Sequence, residues 1–240
     1  MFDFEANETR MSRTGITFTL HHRGQTSRET IAVEQAVIAG WTGRDPIARE
    51  KHIAELEALG VRRPASTPIY YRVAARRLTT ADRIEVSGGE SSGEVEFALL
   101  RRAGRVFVGV GSDHTDRKVE TYNITASKQM CDKPIAADLW DYEDVRNHWD
   151  SLILRSWAWF DGVRTLYQEG PVTAMLPPEE IVGGFSGGTA LPENTVMFCG
   201  TLAAHRGIRP SQKFEYEVED PVLDRRIRHC YEVIELPVVG

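Results

Sequence analysis

The stretch that decides the fold lies at residues 93–110, which read GEVEFALLRRAGRVFVGV. Two segments rich in apolar and β-branched residues, 94–101 and 105–110, flank the dipeptide Ala103-Gly104. Two strand-like segments joined by a short loop that contains glycine are typical of a β-hairpin. The sequence therefore predicts a β-hairpin in the middle of the chain, followed by a polar loop of sequence GSDHTDR.

The chain on both sides of this hairpin predicts more strands than helices. Asp45 followed by Pro46 is a favourable helix start, and residues 45–59 have helical periodicity. A second helix is expected over residues 141–155, whereas residues 167–192 are rich in Gly and Pro and are expected to be irregular. Residues 30–38 fit a strand or a short helix. Further strands are predicted at residues 14–20, 69–73, 195–199, 213–218 and 230–236. This order favours an α+β fold that is mainly β, with few helices.

The bulk composition is that of a globular protein. The chain has 240 residues, of which 41% are hydrophobic and 27% are charged, fractions typical of folded domains. This length suits one large domain. We predict a small N-terminal portion at residues 1–64 and a catalytic domain at residues 65–240, or one continuous domain.

Charge and hydropathy exclude several classes of partner. The formal net charge is −6 without a long basic block, so a nucleic-acid ligand is not expected. No apolar run approaches the roughly 20 residues that cross a bilayer, and the polar N-terminus lacks a signal-peptide core. The three cysteines, Cys131, Cys199 and Cys230, are odd in number and far apart, which does not suggest a disulfide framework. We expect a cytoplasmic protein.

Two glutamates begin the first strand of the predicted hairpin. Residues i and i+2 of a strand point to the same face, so Glu94 and Glu96 would lie side by side. Two neighbouring carboxylates repel each other unless a cation lies between them, and oxygen ligands favour Mg²⁺, Mn²⁺ or Ca²⁺. An exposed polar strand face is the simpler alternative for this pattern alone.

The loop after the hairpin carries Asp113. Acidic residues in loops at strand ends are often placed for ligation or catalysis. A polar turn, in which an aspartate accepts hydrogen bonds from its own backbone, is the simpler alternative. Asp113 is therefore a candidate third metal ligand, and the case for it depends on its context.

Three further features offer catalytic chemistry. His52 and Glu55 share a helix face, and a carboxylate beside an imidazole can make it a general base. The alternative is a solvated helix face. Lys128 could stabilise a developing negative charge, and Gly200-Thr201 at a strand end could offer a backbone N–H and a hydroxyl to a ligand. Each feature is common by chance.

The order of these motifs makes the chain resemble the fumarylacetoacetate hydrolase superfamily, from about Trp41 to Glu219. Within that superfamily, the sequences GWTGRD, SKQMCDKP and FCGTL resemble a bacterial branch without an assigned function. Some positions depart from the superfamily pattern, such as Leu202 where a proline is usual. The matching motifs are His52-x-x-Glu55, Pro68-x-Tyr70-Tyr71, Glu94-x-Glu96, Asp113 with Arg117, Lys128 with Asp132, and Gly200-Thr201.

The resemblance implies a fold, a cofactor and a set of roles. The implied fold is a β-sandwich roll, usually homodimeric. Metal ligands would be Glu94, Glu96 and Asp113, with Mg²⁺, or else Mn²⁺ or Ca²⁺, as the ion. The implied catalytic residues are His52, Glu55 and Lys128, and the implied substrate contacts are Arg117, Gly200 and Thr201.

The implied reaction is hydrolysis of a small anionic oxo or enol acid in catabolism. Because a His-Glu pair favours activation of water, we favour C–C hydrolysis of an acylpyruvate-like acid. Alternatives are hydrolysis of a C–N bond in an amide or enamide acid, and decarboxylation or hydration of an oxo acid. Two hypotheses belong to other functional classes. One is a non-catalytic metal-binding or ligand-binding protein, and the other is an enzyme with Cys199 as nucleophile.

Overall fold

The computed structural model describes residues 14–58 and 63–239, except for the side chains of residues 14, 52, 55, 56 and 58. Strands account for most of the regular structure. The strands are β1 Thr14–His22, β2 Gln25–Val33, β3 Gln35–Gly40, β4 Ile69–Val73, β5 Leu78–Thr79, β6 Arg83–Ser87, β7 Ser91–Ser92, β8 Val95–Arg102, β9 Arg105–Ser112, β10 Thr115–Asp116, β11 Lys133–Pro134, β12 Asp138–Asp141, β13 Ile153–Phe160, β14 Val163–Pro171, β15 Thr195–Thr201, β16 Lys213–Asp220 and β17 Arg225–Leu236.

The helices are few and mostly short. The α-helices are α1 Pro46–Ala58, α2 Arg117–Glu120, α3 Ile124–Met130, α4 Tyr142–Val145 and α5 Pro178–Ser186. Short 3₁₀ helices cover Ala75–Arg77, Arg146–Ser151 and Val172–Ala174. Among the described residues, none of these helices has the length and apolar character needed to span a membrane.

Two large sheets form the body of the molecule. The larger has eight strands in the order β2-β1-β12-β9-β8-β15-β3-β4, and the smaller has five in the order β14-β13-β16-β17-β6. The hairpin predicted from residues 93–110 is the antiparallel pair β8–β9 at the centre of the larger sheet. Two short pairs, β10–β7 and β11–β5, connect the elements around one end of that hairpin.

The larger sheet is buried on both faces, which explains why β8 is apolar almost throughout. Phe97 and Leu99 enter the core between the two sheets, where Phe214 and Tyr231 of the smaller sheet also lie. The intervening residues, such as Leu100, enter a second core on the opposite face. Burying a side chain of this size contributes about 1.5–3 kcal/mol.

Each strand of the eight-stranded sheet contributes at least one side chain to that second core. A sheet can place all its strands against one cluster only if it curves around it. The structure is therefore a curved sheet with a smaller sheet packed against its outer face, which confirms the mainly β, sandwich-roll fold.

The predicted elements are confirmed in most cases. The strands expected at 14–20, 69–73, 195–199, 213–218 and 230–236 are present, and the first helix covers Pro46–Ala58. Residues 30–38 form the end of one strand and most of the next. Strands of the predicted N-terminal portion pair with β12 and β15 in the larger sheet, and the division at residue 64 stays a prediction.

The structure predicted for two segments was wrong. The helix expected over residues 141–155 ends within Arg146–Ser151, and β13 begins at Ile153, because alternating burial from Ile153 onward favours a strand. The irregular segment expected at 167–192 contains the end of β14 and the helix Pro178–Ser186. Pro178 at the first turn and Gly187 in a left-handed conformation after the last turn bound that helix.

Candidate metal centre

The β8–β9 hairpin brings the three predicted metal ligands together. Val95 pairs with Ser112 at the open end of the hairpin, and the amide of Asp113 donates to the carbonyl oxygen of Glu94 at 3.0 Å. Residues that are 17 or more positions apart in the sequence are therefore neighbours across two strands. The hairpin register, rather than local spacing, places Asp113 beside the glutamates.

The carboxylates of Glu94, Glu96 and Asp113 each offer one oxygen, and these oxygens all lie within 4.8 Å of one another. Within the part of the chain that the structure describes, this is the one group of three His, Cys, Asp or Glu side chains with that geometry. Glu94 is half-buried, whereas Glu96 and Asp113 are buried. Three clustered oxygen donors suit a hard divalent cation such as Mg²⁺ or Ca²⁺.

Glu96 shows most directly that a cation fits this site. Burial raises its pKa well above the ordinary value, and the carboxylates of Asp113 and Glu94 raise it further. Its Oε2 accepts a hydrogen bond of 2.7 Å from the amide of Gly200. No described Lys or Arg lies within ion-pair distance of it. A divalent ion would supply the missing positive charge.

The amide that reaches Glu96 depends on a bulge in β15. The register between β15 and β8 shifts between Phe198 and Thr201, and Gly200 has a φ of +96°. A Cβ atom at Gly200 would lie 1.8 Å from Oγ1 of Thr42. Only glycine therefore allows this backbone to turn its N–H toward Glu96.

Asp113 is held by two lysines. Lys128 donates to its Oδ2, and Nζ of Lys133 lies 2.9 Å from its Oδ1. Burial disfavours the charged carboxylate, but the two ammonium groups outweigh this effect and hold the pKa of Asp113 below its usual range. Asp113 is therefore an anion although its side chain is fully buried.

The rear wall of the site is a buried hydrogen-bonded network. His114 Nδ1 lies 2.8 Å from the hydroxyl of Tyr231, and its Nε2 lies 2.9 Å from Oγ of Ser91. The Tyr231 hydroxyl also contacts Oγ of Ser112. Burial, together with Lys133 and Arg117, lowers the pKa of His114 to about 3. A neutral imidazole thus fixes the loop that carries Asp113.

The predicted substrate contacts line the site but engage protein groups. Arg117 donates to Ser92 and Glu120 and lies 3.3 Å from Glu94. The Thr201 hydroxyl donates to the carbonyl oxygen of Val95 at 2.7 Å. Both side chains thereby orient the strand that carries the glutamates, and their contact with a substrate stays a prediction.

The remaining catalytic candidates differ in what the structure describes. The backbone of His52 and Glu55 lies on the helix Pro46–Ala58, as predicted, but their side chains lie outside the described atoms. Lys128 is in α3 and reaches the metal-ligand cluster through Asp113. Asp132, its partner in the motif, pairs with Arg77 at 3.3 Å.

The structure argues against a cysteine nucleophile. Cys199 is buried, and its thiol contacts the carbonyl oxygen of Met197. Burial, followed by the nearby Glu96, raises the pKa of Cys199 well above its ordinary value. A thiol that stays protonated and inaccessible does not attack a substrate.

Sequence reasoning missed three residues of the site. His114 directly follows Asp113 and Lys133 directly follows Asp132, and this position beside motif residues was the available signal. Gln168 had no such signal, because it lies in the segment expected to be irregular. Its side chain accepts from the amide of Val95 and donates to the Thr201 hydroxyl, both at 2.9 Å, and so connects β8 with β15 next to Glu96.

Known proteins match the chain in family and in fold. A family model described as "Protein of unknown function (DUF2848)" matches residues 39–231. No curated protein matches the sequence.

Several solved structures share the fold at low sequence identity. A 2-keto-3-deoxy-D-arabinonate dehydratase complexed with magnesium and 2,5-dioxopentanoate is 12% identical, with a TM-score of 0.61, covering 88% of this chain and 77% of that chain. The fumarylacetoacetate hydrolase of Exiguobacterium antarcticum is 15% identical, with a TM-score of 0.61, covering 88% and 82%.

The 4-oxalocrotonate decarboxylase of Pseudomonas putida G7, complexed with calcium and acetate, is 14% identical, with a TM-score of 0.56, covering 83% of this chain and 77% of that chain. These neighbours belong to the fumarylacetoacetate hydrolase superfamily. The resemblance inferred from the motifs is therefore confirmed for the fold.

Proposed function

The chain belongs to the DUF2848 family, and from that premise we propose that it is a divalent-metal-dependent enzyme acting on a small oxo or enol carboxylic acid. Our specific proposal is hydrolysis of a C–C bond in an acylpyruvate-like acid. In that reaction water adds to the terminal acyl carbon, the bond to the adjacent CH₂ breaks, and a carboxylic acid and pyruvate are released.

One observation carries the proposal. Three carboxylates meet at the open end of a buried hairpin, and Glu96, the more buried of the two glutamates, has no described Lys or Arg within ion-pair distance. Lys128 lowers the pKa of Glu96 only partly, because it is paired with Asp113. A buried carboxylate without an ion-pair partner is costly. A bound divalent ion would remove that cost, and Glu94, Glu96 and Asp113 would hold it.

The charges around the cluster favour an anionic substrate. Lys128 and Lys133 contact Asp113, and Arg117 contacts Glu94 and Glu120. Together with a divalent ion, these largely buried cations would attract a small carboxylate more strongly than a neutral ligand.

The residues around the metal would have distinct roles in the reaction. When bound, the metal ion supplies Lewis-acid polarisation of a substrate oxygen. We assign Lys128 to neutralise the oxyanion that forms. His52, oriented by Glu55, would take a proton from the attacking water. Arg117, Gly200 and Thr201 would orient the substrate directly or through the strand they hold.

The proteins that share the fold catalyse different reactions, so the choice of the bond that is broken rests on this chain's own residues. They include a hydrolase, a dehydratase and a decarboxylase. The His52-x-x-Glu55 pattern favours activation of water, and therefore hydrolysis, over simple decarboxylation. C–N hydrolysis of an enamide or amide acid uses the same water and metal, and is the second candidate.

The test combines metal analysis with a substrate panel. We expect the purified protein to bind Mg²⁺ or Mn²⁺, and to release pyruvate from an acylpyruvate faster than it decarboxylates oxaloacetate or hydrolyses an N-acyl enamine acid. The double variant Glu94→Gln/Glu96→Gln should lose metal and turnover together. Glu217→Gln, a buried glutamate of β16, is the control and should retain both.

Two results would contradict the proposal at different levels. Unchanged metal content in Glu94→Gln/Glu96→Gln would remove the metal site. Full turnover in His52→Ala, with metal retained, would remove His52 from the mechanism, whereas a wild-type protein that binds metal but converts no acid of the panel would favour a non-catalytic binding role. A homodimer, a cytoplasmic location and a role in oxo acid catabolism belong to the same proposal, and size measurement in solution tests the first of them.

A further inference from the structure

The carboxylate cluster opens to solvent on the side of α2. The side chain of Asp113, at the back of the cluster, is 0% exposed, and that of Lys128 beside it is 8% exposed. Exposure rises to 15% for Arg117 and 16% for Glu94, and to 27% for Glu120 at the end of α2. A substrate that enters the cluster from solvent therefore passes Arg117 and Glu120.

Arg117 is already engaged by protein acceptors. Its Nε donates to Oγ of Ser92 at 2.7 Å, and its Nη1 donates to Glu120 at 2.8 Å. Its Nη2 lies 3.3 Å from Glu94 and 3.4 Å from the carbonyl oxygen of Ser92. All three nitrogens of the guanidinium group contact the protein, and its single positive charge is shared between two carboxylates. Arg117 thus has no surplus charge to offer to an acid group of a substrate.

The short helix α2 holds Glu120 beside Arg117. Asp116 caps this helix by accepting a hydrogen bond of 2.8 Å from the amide of Val119, and the amide of Arg117 donates to the carbonyl oxygen of Glu90 at 2.8 Å. Residues three apart on a helix share a face, so the pair stays together. Among the described residues, Arg117 is the one Lys or Arg within ion-pair distance of Glu120. A carboxylate of fixed position therefore lies at the entrance of the site.

A lysine and two aromatic side chains lie farther in. Nζ of Lys128 is 5.7 Å from the centre of the Tyr71 ring, and the Glu120 carboxylate is close enough to both groups to act on them electrostatically. Trp41 hydrogen-bonds to the Tyr71 side chain, and both rings are half-buried. Lys128 is paired with Asp113. The surface left for the distal end of a substrate is therefore aromatic and uncharged.

We propose that Glu120 determines specificity by rejecting a second acid group, so that the site takes oxo acids with one carboxylate and an uncharged distal end. This inference rests on the proposed function and narrows its substrate class. The oxo-acid end of the substrate belongs at the metal-ligand cluster, and the distal end belongs against Tyr71 and Trp41. A dicarboxylate would bring its second charge close to Glu120, where Arg117 is already neutralised and like charges repel strongly because the site is partly buried.

The experiment measures the binding of two oxo acids to the purified protein in excess Mg²⁺ by calorimetric titration. The acids are 2-oxoglutarate and 5-methyl-2-oxohexanoate, whose isopropyl end has the shape of a carboxylate without its charge. The wild type should bind the acid with the uncharged end at least about tenfold more tightly. Glu120→Gln should reduce this preference by about tenfold, chiefly by tightening the binding of 2-oxoglutarate.

Two control variants separate the charge of Glu120 from its structural contacts. Glu120→Asp keeps the carboxylate but shortens its reach to Arg117, and it should retain the preference for the uncharged end. Glu143→Gln removes a carboxylate from the pair that Glu143 forms with Arg146, which also has a spacing of three but whose side chains are 66% and 54% exposed. This variant should leave both affinities within about twofold of the wild type.

The outcomes separate this inference from the proposed function. If the wild type binds Mg²⁺ and both acids but does not prefer the uncharged end, the proposed function stands and the inference is overturned. The same holds if Glu120→Gln shifts both affinities equally, because Glu120 would then only support Arg117. If the wild type binds no Mg²⁺, or binds neither acid, the proposed function fails and the inference fails with it. Should Glu120→Gln not fold, Glu120→Ala takes its place, since it removes the same charge and alanine favours a helix.

Discussion

Two strands of this protein carry glutamates at alternate positions, and the glutamates of the two strands have different partners. β8 begins next to Glu94 and carries Glu96, and β16 carries Glu215, Glu217 and Glu219. In both cases the spacing places the carboxylates on one face of a strand. The difference between the strands lies in what faces them.

The glutamates of β16 are matched by arginines. Glu217, whose side chain is 2% exposed, accepts hydrogen bonds of 2.9 Å and 2.6 Å from Arg228 and one of 3.2 Å from Arg155. Glu219 pairs with Arg155, and this hydrogen bond lowers the pKa of Glu219 despite some burial. The result is a ladder of ion pairs across neighbouring strands, in which each acid already has its cation.

The glutamates of β8 lack such a ladder. Glu96 accepts one hydrogen bond from a backbone amide, and burial raises its pKa. Alternate glutamates thus form an ion-pair network where arginines stand opposite each of them, whereas on β8 Arg117 reaches Glu94 alone and Glu96 has no described Lys or Arg within ion-pair distance. This difference makes opposite predictions for the same substitution on the two strands.

The largest effect is expected for Glu96→Gln. The variant should bind Mg²⁺ or Mn²⁺ at least about 100-fold more weakly, more than the loss caused by removing an orienting group. In the presence of a chelator it should unfold at a higher temperature than the wild type, because without metal the wild type must either bury a charged Glu96 or take up a proton there, and glutamine requires neither. Thermal unfolding with and without metal measures both effects, and a lower unfolding temperature in chelator would mean that Glu96 is already paired.

The same two strands show which parts of the site can be predicted from the sequence. The Glu94-x-Glu96 motif and the order of the motifs around it predicted the site, because the spacing of two is local. Pairing of Asp113 with the glutamates followed from the resemblance, and its physical cause is the hairpin register. The arginines opposite Glu217 come from β13 and β17, so no local pattern reveals that this second group is neutralised.

Lys133 and Gln168 belong to the site through contacts that local sequence patterns do not predict. Lys133 joins the site because β11 pairs in parallel with β5, where its partner Leu78 lies 55 positions earlier in the chain. Gln168 joins it because β14 exists where Gly and Pro predicted irregular structure. Both depend on contacts between distant strands, whereas helix 46–58 and the β8–β9 hairpin follow from local signals and were predicted.

The next effect is expected at Gly200, which gives Glu96 its hydrogen bond. Gly200→Ala should lower the free energy of unfolding by about 2–4 kcal/mol, because the new Cβ collides with Thr42 and φ is positive. Metal affinity should fall as well, since the amide no longer orients the Glu96 carboxylate. Denaturant unfolding and metal titration measure the two quantities.

Gly24 provides the control for that substitution. It also has a positive φ, of +74°, but a Cβ there would meet nothing within 4 Å. Gly24→Ala should therefore cost only about 1 kcal/mol of backbone strain and leave metal binding unchanged. Equal destabilisation by the two substitutions would show that the contact with Thr42 is not the cause.

Glu217→Gln should reverse the sign seen at Glu96. The variant leaves Arg155 and Arg228 facing a neutral amide, and the free energy of unfolding should fall by about 1–3 kcal/mol. Metal binding should not change, because Glu217 is outside the metal-ligand cluster. A stabilised Glu217→Gln protein would remove the distinction between the two strands.

The pH dependence of the metal-free protein should differ between wild type and Glu96→Gln. The pKa of Glu96 is raised in the folded state, so the folded protein keeps a proton that the unfolded chain releases above about pH 4.5. Stability of the wild type should therefore fall relative to Glu96→Gln as the pH rises above that value. Unfolding temperatures in chelator, measured from pH 4.5 to 8, should diverge by on the order of 2–4 °C per kcal/mol of difference, and parallel curves would exclude the raised pKa.

The smallest effect is expected where the ladder reaches solvent. Arg226 lies 3.4 Å from Glu219, and its side chain is 51% exposed. Exposed pairs of this kind contribute little, because water and salt screen them and holding a long side chain costs entropy. Arg226→Ala should change the free energy of unfolding by less than about 0.5 kcal/mol, with no change in metal affinity. A much larger loss would mean that the ladder acts as one network extending to its exposed end, and that burial alone does not separate its strong pairs from its weak ones.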